Sequence, residues 1–318
     1  MQKVNNIFGI HHNETLEFAH LKEGATEGDS IGFYNIKSKD PDWPWAGTKG
    51  KLLYRYNSLG HRNDEELEEI SSTPNWFLSV GCSMVAGDGV FSHQVFHSYV
   101  GIGLKLYNGG VGGAANDMIS HNAIELLRQA INPPRFVLFN LTHATRQTII
   151  ETIFDYNDRD SFYHSVGSWT KDEKEKNFIA AANTIHQEDI RTASAIHSLS
   201  AVCEARNIPL LIIASNFTTT HIEDAYWAPN ALDLFLPDCI TTPISNFVCT
   251  QETDAKRNYV AERSWVSPTE HKGTFFMYID DNDLAIDDVR NARDSNHPGV
   301  LYNKLKGKMI NNTLKEIL

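Results

Sequence analysis

The stretch that decides the predicted fold is Trp76-Phe-Leu-Ser-Val-Gly-Cys-Ser-Met-Val-Ala-Gly-Asp-Gly-Val90. Its first five residues are almost all apolar and end at Gly81, a pattern typical of a strand buried on both faces of a parallel sheet. Ser83 follows at once, where we expect a tight turn from the strand into a helix. A serine there would project its hydroxyl at the carboxyl edge of the sheet, where open α/β sheets bind ligands. Ser83 is therefore a candidate nucleophile, and a hydroxyl that only caps a helix is the alternative.

Further apolar runs alternate with helical patterns along the rest of the chain. Strands are predicted at Leu104–Tyr107, Arg135–Leu141, Ile208–Ala214 and, from a weaker pattern, Leu234–Leu236. Apolar residues recur at helical spacing over residues 118–131, 190–203 and 300–314. Strands that alternate with helices predict an α/β fold, a three-layer α/β/α sandwich around a parallel sheet.

The chain divides into two predicted regions. Residues 1–72 are polar, with short strand-like pieces such as Lys51–Tyr56, and predict an N-terminal extension packed on the main domain. Residues 73–318 form that main domain. Within it, residues 150–175 and 216–293 fit neither element well, so we expect them to be loop insertions that recognise substrate.

Composition narrows the classes of function. The net charge of −12 disfavours nucleic acid and anionic membrane surfaces as partners. No run approaches the length of a membrane-spanning helix, and the N-terminus lacks the features of a secretory signal, so we expect a cytoplasmic protein. The four cysteines show no CxxC spacing, which favours reduced thiols. We expect no metal and no cofactor, and the sequence leaves the oligomeric state open.

Two further motifs lie next to predicted elements: one follows the second strand, and the other precedes the last helix. Asn108-Gly-Gly-Val-Gly-Gly113 comes directly after the second strand. Its glycines would let backbone N–H groups approach a ligand closely. A dinucleotide-binding loop is the rival interpretation, but the glycine spacing fits that fingerprint poorly.

The other motif is Arg293-Asp-Ser-Asn-His-Pro-Gly299, just before the C-terminal helix. On one short turn, Asp294 can hold the Nδ1–H of His297 while Nε2 faces Ser83, which would orient the imidazole as a base. A capping aspartate beside a surface histidine is the alternative for this motif alone. The three motifs in combination are far more specific than any one of them.

The motifs together resemble the SGNH (GDSL-like) hydrolase superfamily. Residues 80–90 are similar to its first sequence block, in a form found in many microbial and viral members, with Cys82 in the place of the usual aspartate. Asn57–Arg62 resembles a stretch that often precedes this block. The resemblance covers roughly residues 76–318 and implies a flavodoxin-like sheet, with Ser83, His297 and Asp294 as a catalytic triad.

The resemblance also implies an oxyanion hole, the set of donors that would stabilise the charged oxygen of the reaction intermediate. Its donors would be the N–H groups of Ser83 and Gly113. The family's third donor comes from an Asn-Asp pair, which is absent here, because the third strand runs into Asn140-Leu-Thr-His-Ala-Thr-Arg146. Thr142 or His143 is the candidate replacement, Arg146 is expected to be structural, and loop packing is the alternative for all three.

The implied function is that of a serine esterase. We expect it to hydrolyse short-chain acyl esters, including O-acetyl groups on carbohydrates, so its partner would be a small-molecule or glycan ester. An O-acyltransferase on the same fold and a non-catalytic glycan-binding or structural module remain as alternatives. The missing Asn-Asp pair motivates the last of these.

Four other patterns are weaker. Gly28-Asp29-Ser30 matches the Gly-Asp-Ser of the GDSL motif, but it follows a polar segment rather than a buried strand. His93-Gln-Val-Phe-His97 imitates a zinc motif without its glutamate. Asp280–Asp283 lacks the glycine and final glutamate of a calcium loop. His11-His12 is expected to be a solvated pair.

Overall fold

A computed structural model describes most of the segment that carries the three motifs. The described residues are 20–23, 35–37, 39–40, 45, 53–101, 103–152, 161–167, 170–182, 185–215, 265–268, 272–279, 292, 294 and 297–318. Leu234–Leu236, Gly28–Ser30, His11-His12 and Asp280–Asp283 lie outside them.

The described strands form one six-stranded sheet and two small antiparallel pairs. The strands are β1 (His20–Glu23), β2 (Leu53–Tyr56), β3 (Trp76–Gly81), β4 (Lys105–Gly110), β5 (Val137–Asn140), β6 (Gln147–Thr152), β7 (Ser161–Val166), β8 (Leu210–Ser215), β9 (Trp265–Pro268) and β10 (Thr274–Ile279). The order in the large sheet is β4-β3-β5-β8-β10-β9, and only β9 runs antiparallel to its neighbour. The five parallel strands therefore have the order 2-1-3-4-5 of flavodoxin-like sheets.

Helices cover both faces of this sheet. The described helices are α1 (Leu67–Ile70), α2 (Ser83–Ala86), α3 (Asn116–Gln129), α4 (Glu173–Ala182), α5 (Ile185–Ala205) and α6 (Val300–Ile317), with 3₁₀ turns at Ser92–Gln94 and Phe96–Tyr99. Successive residues of β3 show the two faces. Ser79 Oγ is 3.2 Å from Nδ1 of His97, on the 3₁₀ turn that packs against α6. The next side chain, Val80, lies near Gly109 and the α3 residue Leu126 on the opposite face. The predicted α/β fold is thus confirmed.

The last helix is tied to the sheet by a buried lysine. Lys306 of α6 has no exposed surface, and its Nζ donates a 2.8 Å hydrogen bond to Oδ1 of Asn140 at the end of β5. Its ammonium group also lies 4.8 Å from the centre of the Phe96 ring, a favourable position for a cation. These contacts hold α6, and the segment just before it, against the carboxyl end of the sheet.

Two stretches predicted to be loop insertions contain regular structure. The fifth parallel strand, β10, lies within residues 216–293, where the only strand predicted was Leu234–Leu236; for residues 274–279 the prediction of a loop is wrong. The pair β6–β7 extends into residues 150–175. β10 is apolar and follows Gly273, a sufficient signal for a buried strand, but the polar residues around it obscured the pattern.

Residues of the predicted N-terminal extension pack directly on the sheet edge. The Asn57 amide donates to Tyr107 Oη at 3.0 Å. Asn63 and Asn108 exchange two 2.8 Å hydrogen bonds between side chain and backbone, which places residues 57–63 against the end of β4. The boundary at residue 72 stays a prediction. No helix in the described part of the chain is long and apolar enough to cross a membrane.

Candidate active site

Ser83 lies where the sequence predicted, at the carboxyl end of β3. The strand ends at Gly81, Cys82 follows in extended conformation, and Ser83 begins the single turn of α2. The turn packs closely on its neighbours: a Cβ added to Gly81 would lie 3.0 Å from the carbonyl oxygen of Asn140. Only 7% of Ser83 is exposed. The side chain thus sits at the sheet edge where a ligand site is expected.

The hydroxyl of Ser83 points toward its neighbour in the chain. Its Oγ donates to Sγ of Cys82 at 4.0 Å. Among the described residues, it makes no hydrogen bond to His297. A reactive arrangement therefore requires the hydroxyl to turn from Cys82 toward the imidazole, and hydrogen bonds between catalytic groups are often long or misaligned before substrate binds.

Asp294 and His297 form the hydrogen-bonded pair that their spacing predicted. Oδ2 of Asp294 is 2.6 Å from Nδ1 of His297, and Oδ1 accepts the backbone N–H of His297 at 3.1 Å. Asp294 is 3% exposed, while the His297 side chain keeps 17% of its surface accessible. With Nδ1 bound to the carboxylate, Nε2 is the nitrogen left to accept a proton.

This pair lies against the loop that follows Ser83. A Cβ added to Gly89 would lie 2.9 Å from Oδ1 of Asp294 and 2.7 Å from Cβ of Ala292. On the other side of the same loop, a Cβ added to Gly112 would lie 3.3 Å from Oδ2 of Asp88. The first, second and last motifs therefore meet at one edge of the sheet, although more than 200 residues separate Ser83 from His297.

Carboxylates around His297 favour its charged form. Burial lowers its pKa, but the hydrogen bond and the charge of Asp294 raise it. Asp88 and Cys82 also raise it, so the pKa rises to about 9. The raised pKa means that the resting imidazole is protonated at neutral pH. A base role for His297 therefore requires a pH high enough to deprotonate it.

Cys82 occupies a polar environment. Burial raises the pKa of its thiol, but the Arg146 guanidinium, the Thr142 side chain, the Met84 N–H and His297 lower it, and the net shift is downward. Arg146, expected to be structural, also donates to the carbonyl of Ala114 at 3.5 Å. These interactions place the Asn140–Arg146 segment beside the Ser83 turn.

Two backbone N–H groups suit the predicted oxyanion hole. Gly113 has φ +75°, a left-handed conformation that favours glycine. Among the described residues, neither its N–H nor that of Ser83 donates a hydrogen bond within the protein. Thr142 differs, since its N–H donates to Oδ1 of Asn116 at 2.8 Å. Thr142 and His143 as third donors stay predictions.

Asp88 and Arg62 were not predicted from the sequence as site residues. Asp88 is 6% exposed and faces Gly112 and His297. Arg62 is 5% exposed and donates to backbone carbonyls of the loop after Ser83. Asp88 lies between two glycines in the first motif and Arg62 ends the upstream stretch, so both stood next to a recognised pattern without a chemical role.

The two histidines of the zinc-like pattern, His93 and His97, have different surroundings. His93 stacks on the ring of Phe91 with centroids 5.8 Å apart. His97 is buried beside Ser79, and burial lowers its pKa to about 3. Their segment forms two 3₁₀ turns rather than one α-helix, so they lack the helical spacing that the zinc motif uses.

Comparisons with known proteins gave structural likenesses only. No family model matches the chain, and no curated protein matches it. Solved structures of AlinE4, described as an SGNH-hydrolase family esterase, and of two AlinE4 mutants each give a TM-score of 0.30. Identities are 12–13%, over 51–62% of this chain and 73–88% of theirs. At this TM-score the likeness carries no argument about activity.

Proposed function

We propose that this protein is a serine ester hydrolase that uses Ser83 as nucleophile and His297 as base, oriented by Asp294. The observation that carries the proposal is the buried Asp294–His297 hydrogen bond, 2.6 Å long, packed against the loop that follows Ser83. A carboxylate–imidazole pair next to a serine on a strand-to-helix turn is the arrangement that activates a hydroxyl for acyl transfer.

The reaction would proceed in two halves. The Ser83 oxygen attacks the ester carbonyl while its proton passes to Nε2 of His297, and the N–H groups of Ser83 and Gly113 stabilise the charged oxygen. The imidazolium then gives this proton to the leaving alkoxide, which departs as an alcohol. Water, deprotonated by His297, attacks the acyl-serine and releases the carboxylic acid, and the proton returns to Ser83. Asp294 stays ionised throughout and holds Nδ1–H.

The substrate class rests on the family resemblance. We propose short acyl esters, with O-acetyl groups on carbohydrates as the first substrates to test. An acyltransferase would use the same steps with a sugar hydroxyl in place of water. Incubating the protein with an acetyl donor and a sugar acceptor, and then quantifying free acetate against acetylated sugar, separates the two: acetate alone supports the hydrolase, and acetylated sugar supports the transferase.

A non-catalytic module is the competing proposal, and one observation favours it. The Ser83 hydroxyl is hydrogen-bonded to Cys82 and not to His297. In a non-catalytic protein this contact would persist, and Ser83 would not react with a serine-directed probe. Wild-type hydrolysis of p-nitrophenyl acetate that disappears in Asp294→Asn would contradict it. We expect that variant to lose on the order of 10²- to 10⁴-fold in rate, because asparagine cannot stabilise the imidazolium.

The raised pKa of His297 predicts an alkaline activity profile. The base must be neutral to accept the proton of Ser83, so kcat/KM should rise with pH and level off above an apparent pKa near 9. Asp88→Asn removes one of the charges that favour the imidazolium, so its profile should shift to lower pH. Hydrolysis rates measured from pH 6 to pH 10.5 would show this.

The matched control for this profile is Asp64→Asn. The Asp64 side chain is 80% exposed, so the profile of this variant should equal that of the wild type. Identical profiles for wild type and Asp88→Asn would show that Asp88 does not act on the imidazole. A plateau reached already at pH 7 would contradict the raised pKa itself.

A further inference from the structure

A buried arginine spans the loop that links Ser83 to the rest of the candidate site. Arg62 donates from Nη1 to the carbonyl of Ala86 at 3.1 Å and to that of Gly87 at 2.5 Å, and from Nη2 to that of Val90 at 2.8 Å. Three backbone carbonyls within five residues therefore share one guanidinium, whose planar fork suits several fixed acceptors.

Tyr54 contacts both Arg62 and the same loop, and we call these two side chains the clamp. Its ring lies under the guanidinium of Arg62, with 3.9 Å between Cζ and the ring centre. Its hydroxyl accepts the backbone N–H of Gly89 at 2.7 Å, and the side chain has no exposed surface. Donors and acceptors of the same loop are thus satisfied by two side chains from the segment that precedes the large sheet.

The Ala86–Val90 loop contains two glycines in the left-handed conformation. Gly87 and Gly89 have φ values of +78° and +80°, and glycine has the widest conformational freedom of any residue. The backbone holds it to α2 through the N–H groups of Gly87 and Asp88, which both donate to the carbonyl of Ser83. Beyond that turn, the N–H of Val90 donates to the carbonyl of Gly87 at 3.3 Å, and the contacts with Arg62 and Tyr54 hold the same residues from outside the loop.

The opposite side of the loop touches the catalytic groups. Gly89 packs against Asp294, and Asp88 lies against Gly112, next to the proposed donor Gly113. Displacing the loop would therefore move the Asp294–His297 pair and the proposed oxyanion donor Gly113 relative to Ser83. A shift of about 1 Å in such a site can lower a rate by roughly 100-fold.

We propose that Arg62 and Tyr54 are positioning residues, which fix the Ala86–Val90 loop and through it set Asp294 and the Gly112–Gly113 turn in register with Ser83. This inference rests on the proposed function, since the groups positioned are those of the esterase site. It also assigns a role to the segment before residue 72, which the sequence suggested was an appendage to the main domain.

Conservative substitutions separate positioning from bulk stability. Tyr54→Phe keeps the ring and removes only the acceptor for the N–H of Gly89. Arg62→Lys keeps the charge but cannot reach three carbonyls in the same plane. Arg55→Met is the matched control, because Arg55 lies next to Tyr54 on β2 with its side chain 50% exposed. Arg62→Met tests complete loss of the clamp.

The readouts are kcat and KM per folded molecule, and the pH titration of the His297 imidazole by NMR, assigned with His297→Gln. We expect about a 10-fold lower kcat for Tyr54→Phe and about 100-fold for Arg62→Met, with Arg62→Lys between them and little change in KM. The His297 titration should shift in all three variants and stay at the wild-type value in Arg55→Met.

Wild-type kcat and an unchanged His297 titration in folded Tyr54→Phe and Arg62→Lys would overturn the inference, whatever their thermal stability. If Arg62→Met fails to fold, these two variants still decide the matter. Failure of the proposed function looks different: the wild type itself would show no hydrolysis. The NMR titration of Tyr54→Phe would then still show whether the clamp positions His297.

Discussion

Replacing Ser83 with alanine is expected to reduce hydrolysis of p-nitrophenyl acetate by on the order of 10⁴- to 10⁶-fold. The substitution removes the only atom that could form the acyl-enzyme in this scheme. The small residual rate would come from the oxyanion donors and from substrate binding. The side chain is nearly buried and, among the described residues, it hydrogen-bonds only to Cys82, so the fold should be retained.

The matched control is Ser92→Ala. Ser92 is exposed and lies on the 3₁₀ turn that follows the Ala86–Val90 loop. Its variant should keep the full rate, and circular dichroism should show both variants folded. Equal activity in wild type and Ser83→Ala would contradict the proposed nucleophile and, with it, both the hydrolase and the transferase proposals.

Gly110→Ala is expected to cost on the order of 4 kcal/mol or more in the free energy of unfolding. Gly110 ends β4, directly beside the turn that carries Ser83. A Cβ there would overlap the backbone nitrogen of Ala86 and lie 2.6 Å from the carbonyl carbon of Val85. Backbone atoms of a helical turn cannot rotate away as a side chain can, so strand and turn must separate. A loss of this size is comparable to the whole stability of many domains.

Gly112→Ala provides the comparison, two residues further along the same motif. The nearest atom to its added Cβ is Oδ2 of Asp88, at 3.3 Å, and this carboxylate can move slightly. Urea unfolding monitored by tryptophan fluorescence would measure both variants. A cost below about 1 kcal/mol for Gly110→Ala would show that Gly110 of β4 is not in close contact with α2.

Most of the sheet could be predicted from the sequence because its strands are buried on both faces. Runs such as Val137–Asn140 and Leu210–Ser215 are almost continuously apolar, and the helices between them have clear periodicity. β10 was missed although it is equally apolar, because polar residues flank it on both sides. The antiparallel edge strand β9 is only four residues long and contains a proline, so it gave no signal of its own.

The site was less predictable than the sheet. The spacing, taken together with the other two motifs, predicted the Asp294–His297 hydrogen bond, because three residues on one turn can bring the two side chains together. The roles of Arg62 and Tyr54 depend on contacts across the fold with backbone carbonyls and an N–H group. Every residue type except proline has both backbone groups, so a sequence pattern does not indicate such contacts. The orientation of the Ser83 hydroxyl toward Cys82 depends on a single rotatable bond, which no pattern encodes.

The central claim is that His297 activates Ser83, and labelling with a fluorophosphonate probe tests it most directly. Mass spectrometry of the digested protein should locate one adduct, on Ser83, formed faster as pH rises toward 9. In His297→Gln, which keeps a similar volume, the labelling rate should fall at least 100-fold. No adduct on Ser83 in the folded wild type, or an equal rate in His297→Gln, would contradict the account.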